Sequence, residues 1–229
     1  VAHVTGVELL VLASSRKGGG RCVAGYDLDG ERWIRPVSDL GDGTLMLEHC
    51  VVDGVWPEVL DIVRVDLDER HPLAWQPENW WLTGAAWELV DRLDLANAAG
   101  ILDDLVDHDV ELLENTNRKL AGDYLRDHPI AASLTLATPG ELQWHIETPP
   151  WGGRQQKALF TLDAPDQYDF HVTDFVIEDA LRALPLGVHT RDAVGIDDDA
   201  EVYLTISLGE PYNLNDDCYK LAAAVIAVD

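Results

Sequence analysis

Positive charge is scarce in this chain and unevenly placed. Five of its 16 basic residues, Arg16, Lys17, Arg21, Arg32 and Arg35, fall between positions 14 and 36, against only Asp27, Asp29 and Glu31. Gly18, Gly19 and Gly20 follow Lys17 directly. Glycine leaves backbone N–H groups accessible, and with Arg and Lys they can coordinate phosphate or carboxylate oxygens. The same residues also suit a solvated hairpin tip whose cations balance nearby acids. Lys precedes the glycines, without GxxxxGK[ST] spacing, so this is not a P-loop.

Two further groups could contact a ligand. Trp75, Trp80 and Trp81 are interleaved with Gln76, Glu78 and Asn79. Indole faces stack on unpaired bases and amides bond to their edges, although Trp is also a common core residue. Near the C-terminus, Ser207-Leu208-Gly209-Glu210-Pro211-Tyr212 is followed by Cys218-Tyr219-Lys220-Leu221. Lys220 would either bind an anion or pair with Glu210 to hold the loop.

Catalytic patterns are weaker. Eight His carry no HExxH and no paired ligand spacing, and Cys22, Cys50 and Cys218 form no CxxC, so no metal is expected. Asp197-Asp198-Asp199 lacks the alternating ligands and glycine of a calcium loop. There is no GxSxG elbow. Cys22 lies on an apolar strand, where it reads as core. No cofactor is expected.

The elements that must position these residues are mostly strands. Val7 to Ala13 is nearly continuous apolar sequence of strand length, ending in a loop from Ser14 to Gly20. Arg21 to Leu28 and the stretch around Trp33-Ile34-Arg35 flank an Asp29-Gly30 turn, and Leu60 to Leu67 alternates with period two. From Ala85 to Leu125 the apolar spacing turns helical, with Asn115-Thr116-Asn117 as a capping sequence for a further helix. Strands resume at Ser133–Ala137, Leu142–Ile146, Lys157–Leu162 and Tyr168–Thr173. A helix follows over Ile177–Leu184, then strands over Glu201–Leu208 and Cys218–Val228. No internal repeat is evident. The expected fold is mainly β with a helical insert (α+β): two small antiparallel barrels in tandem over residues 1–84 and 131–229, joined by a connector over 85–130. One larger α+β domain is the alternative.

Composition bounds the partners. With 42 acidic residues the formal charge is −26, which excludes a diffuse basic coat for duplex DNA. A hydrophobic content of 47 % with eight Trp excludes a disordered acidic tail. The acidity fits a GC-rich or salt-adapted proteome, or a face for a cationic partner. An odd number of unpaired Cys and an early apolar run without a basic flank predict a cytoplasmic protein without a membrane anchor.

Ser14-Ser15-Arg16-Lys17, Gly20-Arg21-Cys22-Val23-Ala24-Gly25 and Trp33-Ile34-Arg35-Pro36-Val37-Ser38 resemble the opening of the dual OB-containing domain family. The resemblance continues in Trp75-Gln76-Pro77-Glu78-Asn79-Trp80, in Tyr168 to Asp174 and in the C-terminal blocks above. It departs at Phe175, where proline is expected. It implies two OB-fold barrels in tandem and a family that senses or binds nucleic acid or nucleotides in prokaryotic defence, and it brings no catalytic residue. The expectation is a non-catalytic binding or sensor protein for a nucleotide or a short single strand. Arg16, Lys17 and Arg35, joined by Lys220, would meet phosphate. Trp33 or Trp80 would stack a base, Asn79 and Asp174 would bond its edge, and Ser15, Gly20, Glu210 and Tyr219 would support the site. The alternatives are an acidic module docking a basic protein, or an enzyme on a modified nucleotide with Asp174 or Glu210 as general base and Lys220 as helper.

Overall fold

The computed structural model describes residues 3–109, 111–162, 167–212, 214 and 216–228. The first half forms β1 (Val4–Lys17), β2 (Gly20–Asp27), β3 (Arg32–Val37), the one-turn α1 (Leu47–Cys50), β4 (Asp61–Arg70), β5 (Asn79–Leu82) and β6 (Glu88–Arg92). Their order is β1-β2-β3-β5-β4, closed by β4 pairing back to β1, with β6 added on the far side of β4. β3 and β5 run parallel and the other pairs antiparallel. This is a five-stranded Greek-key barrel.

The second half forms α2 (Leu95–Leu105), β7 (Lys119–Leu120), α3 (Gly122–Asp127), β8 (Leu134–Ala137), β9 (Leu142–Glu147), β10 (Gln155–Thr161) and β11 (Gln167–Val172). It ends with α4 (Phe175–Arg182), β12 (Gly187–Thr190), β13 (Glu201–Tyr212) and β14 (Asp217–Val228). The sheet order is β12-β9-β10-β11-β14-β13-β8, with β7 also on β14 and β11 parallel to β14. Only residues 138–141 separate β8, at one end of the path, from β9, the strand next to the other end. The first half's plan recurs here: a helix precedes the fourth strand, and the third strand runs parallel to the last. No sequence repeat announces it, because a barrel requires inward alternation rather than particular residues.

β1 explains the continuous apolar run. Leu9 and Val11 face the core of the first barrel, whereas Leu10 and Leu12 pack with Leu136, Tyr203 and Ile226 of the second. A strand buried on both faces has no polar side to alternate with. Beyond a register shift between Val11 and Ala13, the small residues Ala13, Ala24, Ala223 and Ala224 let the barrels approach closely. Thr205 Oγ1 donates to the Leu12 carbonyl at 2.6 Å across this contact. Within the first barrel, Gly25 is required by the pairing of β1 with β2, since a Cβ there would lie 2.2 Å from the Leu10 carbonyl oxygen.

Several expected elements move. Ser14 to Lys17 continue β1 instead of forming a loop, and only Gly18-Gly19 make the turn. The helical spacing over Ala85–Leu125 begins with a strand: β6 joins the first sheet beyond residue 84, and α2 starts only after Asp94 caps it. β7, inside the expected connector, belongs to the second sheet. Asn115-Thr116-Asn117 caps no helix. The Asn115 side chain instead accepts from the Asn117 N–H at 2.8 Å, closing a local turn, and α3 begins after Ala121. No helix among the described residues is long and apolar enough to cross a membrane.

Candidate ligand-binding cleft

The basic hairpin is neutralised by its surroundings. Arg16 pairs through Nε with Glu178 at 2.7 Å and through a terminal nitrogen with Asp179 at 2.9 Å, both on α4. Lys17 Nζ lies 2.8 Å from Glu210 Oε1 and also donates to the Asp42 carbonyl. Arg21 donates to Ser14 Oγ and lies between the Phe175 and Trp56 rings, 3.9 and 4.8 Å from their centroids. Burial lowers its pKa. Arg32 pairs with Asp27 at 3.1 Å. Phe175, the departure from the expected proline, is the ring on which both Arg21 and Arg16 rest, the latter at 4.4 Å.

Three of the expected ligand contacts make their hydrogen bonds within the fold. Arg35 is 3 % exposed and each of its nitrogens has a partner: Nε with Glu78 Oε1 at 2.9 Å, one terminal nitrogen with Cys22 Sγ, the other with Ser133 Oγ and Ser207 Oγ. These contacts clamp the two barrels together. Lys220 is buried, its ammonium held by the carbonyl and Oδ1 of Asn115, and burial lowers its pKa to about 8. Asp174 caps α4: Oδ1 accepts from Val176 N and Ile177 N, and Oδ2 from Val225 N, each at 2.9 Å. Burial raises its pKa, with those N–H groups opposing. The enzyme alternative needs Lys220, Glu210, Asp174 and Arg16 in one cleft. Lys220 and Asp174 are instead committed to the fold.

The remaining expected residues divide. Trp33 and the buried Trp80 line a cleft of about 580 Å³ between the barrels. Arg32 and Arg70 lie 5.3 and 5.9 Å from the Trp80 ring, so cations occupy the ring's surroundings. Ser15 is buried and donates to the Cys22 carbonyl. Gly20 serves backbone packing, since a Cβ would lie 2.1 Å from the Leu45 carbonyl oxygen. Asn79, Glu210 and Tyr219 border open cavities on another side of the molecule.

Glu210 is the common border of three such cavities. One, of about 540 Å³ on the second barrel, is lined by Arg118, Trp151, Gln155, His171, Tyr212 and Tyr219. A small one of about 150 Å³ brings together the expected Ser15, Arg16, Lys17, Arg35 and Glu210, beside Cys22 and Ser207. A third of about 330 Å³ lies on the first barrel beside Trp75, Asn79 and Trp81. The register shift in β13 between Leu208 and Pro211 brings Gly209 and Glu210 to this junction.

The second-barrel cleft carries exposed aromatics. Trp151, in the β9–β10 loop, is 79 % exposed and Tyr212, at the end of β13, is 71 % exposed. The Tyr212 and Tyr219 rings meet edge to face at 6.3 Å, and Arg118 and Lys119 each lie 5.9 Å from the Tyr219 ring. Burial lowers the His171 pKa, with Lys157 and Arg118 adding to the effect. Trp151 escaped the sequence reading although Pro149-Pro150 precede it and Gly152-Gly153 follow. Both glycines have positive φ, and no helix or strand could have buried a Trp there.

Residues 7–225 match the dual OB-containing domain family. The chain belongs to that family. No curated protein and no solved structure matches it. The aromatic cleft is lined from Gln155 of β10, His171 of β11, Gly209, Glu210 and Tyr212 of β13, and Tyr219 and Leu221 of β14, with Trp151 from the β9–β10 loop. A dual OB-containing chain is a binding module in its general architecture.

Proposed function

We propose that this chain is a non-catalytic module that binds a nucleotide or a short single-stranded nucleic acid in the cleft on its second barrel. The observation that carries this reading is the exposure of Trp151, in the β9–β10 loop, and Tyr212, at the end of β13, at 79 % and 71 %, in the lining of one cleft. Large aromatic surface left in water is costly, and each ring that stacks on a base contributes about 1–3 kcal/mol. Tyr219 and His171 extend the platform, while Arg118, 3.7 Å from Asp169, stands where a phosphate would pass. A formal charge of −26 repels a long polyanion, so the ligand is short.

The experiment is fluorescence polarisation with labelled DNA and RNA pentamers and with mononucleotides, at low salt. Trp151→Ala and Tyr212→Ala should each weaken binding about tenfold, in line with one lost stacking contact. Binding that both variants leave unchanged would remove the cleft from the reading. A basic protein co-purifying in a salt-sensitive manner, with no oligomer bound, would replace the ligand.

A further inference from the structure

Arg21 stands apart from the cations around it. Arg16, Arg32 and Arg35 each pair with a carboxylate, at 2.7, 3.1 and 2.9 Å. Arg21 pairs with none among the described residues, in a chain whose formal charge is −26. Its Nη1 donates to Ser14 Oγ at 3.0 Å. Its Nε is sealed from solvent without a partner. Its Nη2 also bonds to nothing among the described residues but is not sealed. The Phe175 and Trp56 rings hold the guanidinium in place without neutralising it. The carboxylates nearby are committed elsewhere: Asp174 accepts from three backbone N–H groups, and Glu58 pairs with Arg92 at 3.0 Å.

The three residues that fix the guanidinium, Ser14, Trp56 and Phe175, all line one cleft of about 550 Å³ between the barrels, and Arg21 lines it with them. The group therefore projects into that cleft. One wall is the stretch before β4 of the first barrel, with Val55, Trp56 and Val59. The other is the start of α4 with Val225 of β14. Val55 and Val176 face each other's walls as apolar side chains that are 61 % and 73 % exposed. A continuous apolar lining left in water marks a binding surface, and its volume suits a small molecule. One guanidinium with a free N–H matches one carboxylate. A phosphate dianion would meet a single cation with Glu58 and Asp174 beside it. A peptide main chain would find the N–H groups of Val176, Ile177 and Val225 already taken by Asp174.

We infer that this cleft between the barrels is a second binding site, one that takes a small carboxylic acid with an apolar body, aromatic or branched aliphatic. The carboxylate pairs with Arg21, and the body covers Val55, Trp56 and Val176. The site shares no lining residue with the aromatic cleft and does not depend on what binds there.

The test is isothermal titration of the whole chain with phenylacetate, 4-methylpentanoate and the uncharged phenylacetamide. At least one of the two acids should bind, and phenylacetamide should bind at least about tenfold more weakly than phenylacetate, because it cannot form the ion pair. Arg21→Gln should weaken the acid about tenfold. Val176→Asp should do the same without touching Arg21, by setting a carboxylate at an exposed position in the first turn of α4, where Asp is well tolerated. Thermal unfolding checks that each variant is folded, and Trp151→Ala should leave acid binding within twofold. Failure of both acids to bind overturns the site. So does an amide that binds as tightly as its acid, or acid binding that neither Arg21→Gln nor Val176→Asp weakens. Phenyl phosphate bound more tightly than phenylacetate through Arg21 overturns the choice of a carboxylate. The peptide acetyl-Leu-Val-Phe bound through its free C-terminus, with neither small acid bound, overturns the choice of a small molecule.

Discussion

Arg35 on the first barrel and Glu78 before β5 form an ion pair at 2.9 Å in which both side chains are 3 % exposed. The pair is completed by Ser133, whose N–H and hydroxyl both donate to the Glu78 carboxylate, and by Ser207, which accepts from Arg35. Both serines belong to the second barrel. The guanidinium expected at a ligand phosphate therefore holds the two barrels together.

Arg35→Met should strip Glu78 of its cation and leave a buried carboxylate, at a cost of about 3–5 kcal/mol. The double variant Arg35→Met with Glu78→Met should be less unstable than the single one, because no unpaired charge remains. Urea unfolding of the three proteins checks this. A single variant as stable as wild type would show that the pair carries no load between the barrels.

Arg118 and Arg16 should differ as ligand contacts. Arg118→Ala should weaken oligonucleotide binding at all sequences and lower the salt slope by about 1. Arg16 is held by Glu178 and Asp179 and stacked on Phe175, so Arg16→Ala should leave affinity within about twofold and cost stability of up to about 1 kcal/mol. Polarisation titrations at two salt concentrations distinguish them, and the reverse ranking would return the site to the hairpin.

Lys220 predicts a pH dependence with a definite sign. Its pKa is lowered from 10.5 to about 8 by burial, so below pH 8 both folded and unfolded states are charged and a penalty on the order of 3 kcal/mol is fully present. Between pH 8 and 10.5 the folded state has lost its proton while the unfolded state keeps it, so stability rises with pH. Relative to Lys220→Met, wild type should gain about 2 kcal/mol between pH 7.5 and 9.5 by urea unfolding. Parallel curves for the two proteins would contradict the lowered pKa.

Phe175→Pro separates helix capping from cation stacking. Position 175 is the first residue of α4 after the Asp174 cap, where proline is well tolerated. The variant loses the ring beneath Arg16 and Arg21, each such contact contributing about 0.5–1 kcal/mol. A lower melting temperature with unchanged helix signal in circular dichroism is expected. Lost helix signal would mean that the ring, not the cap, nucleates α4.

Much of the strand framework was legible because barrel strands write their inward faces as alternation, as in β4, and their doubly buried faces as runs, as in β1. Helical spacing misled at Leu89 and Leu93, where an exposed edge strand happens to space its apolar residues four apart. The site was legible only in residue type. Nothing local distinguishes Asn79, Glu210 and Tyr219 from Arg35, Lys220 and Asp174, each of which bonds a partner at least 43 positions away in sequence: Glu78, Asn115 and Val225. Charge on a hairpin reads as ligand-facing until the carboxylates that fold against it are known.

The double-faced burial of β1 has a mechanical meaning. Leu10 and Leu12 are fully buried between the barrels, and the backbone N–H of Arg16 donates to the Thr173 carbonyl at 2.8 Å, so one strand is a structural wall of both units. Such a joint has no hinge. The two clefts on either side of Glu210 are consequently held at a constant spacing, and the molecule behaves as a gauge block: a ligand that reaches both must already have the right length, since neither barrel can travel to meet it.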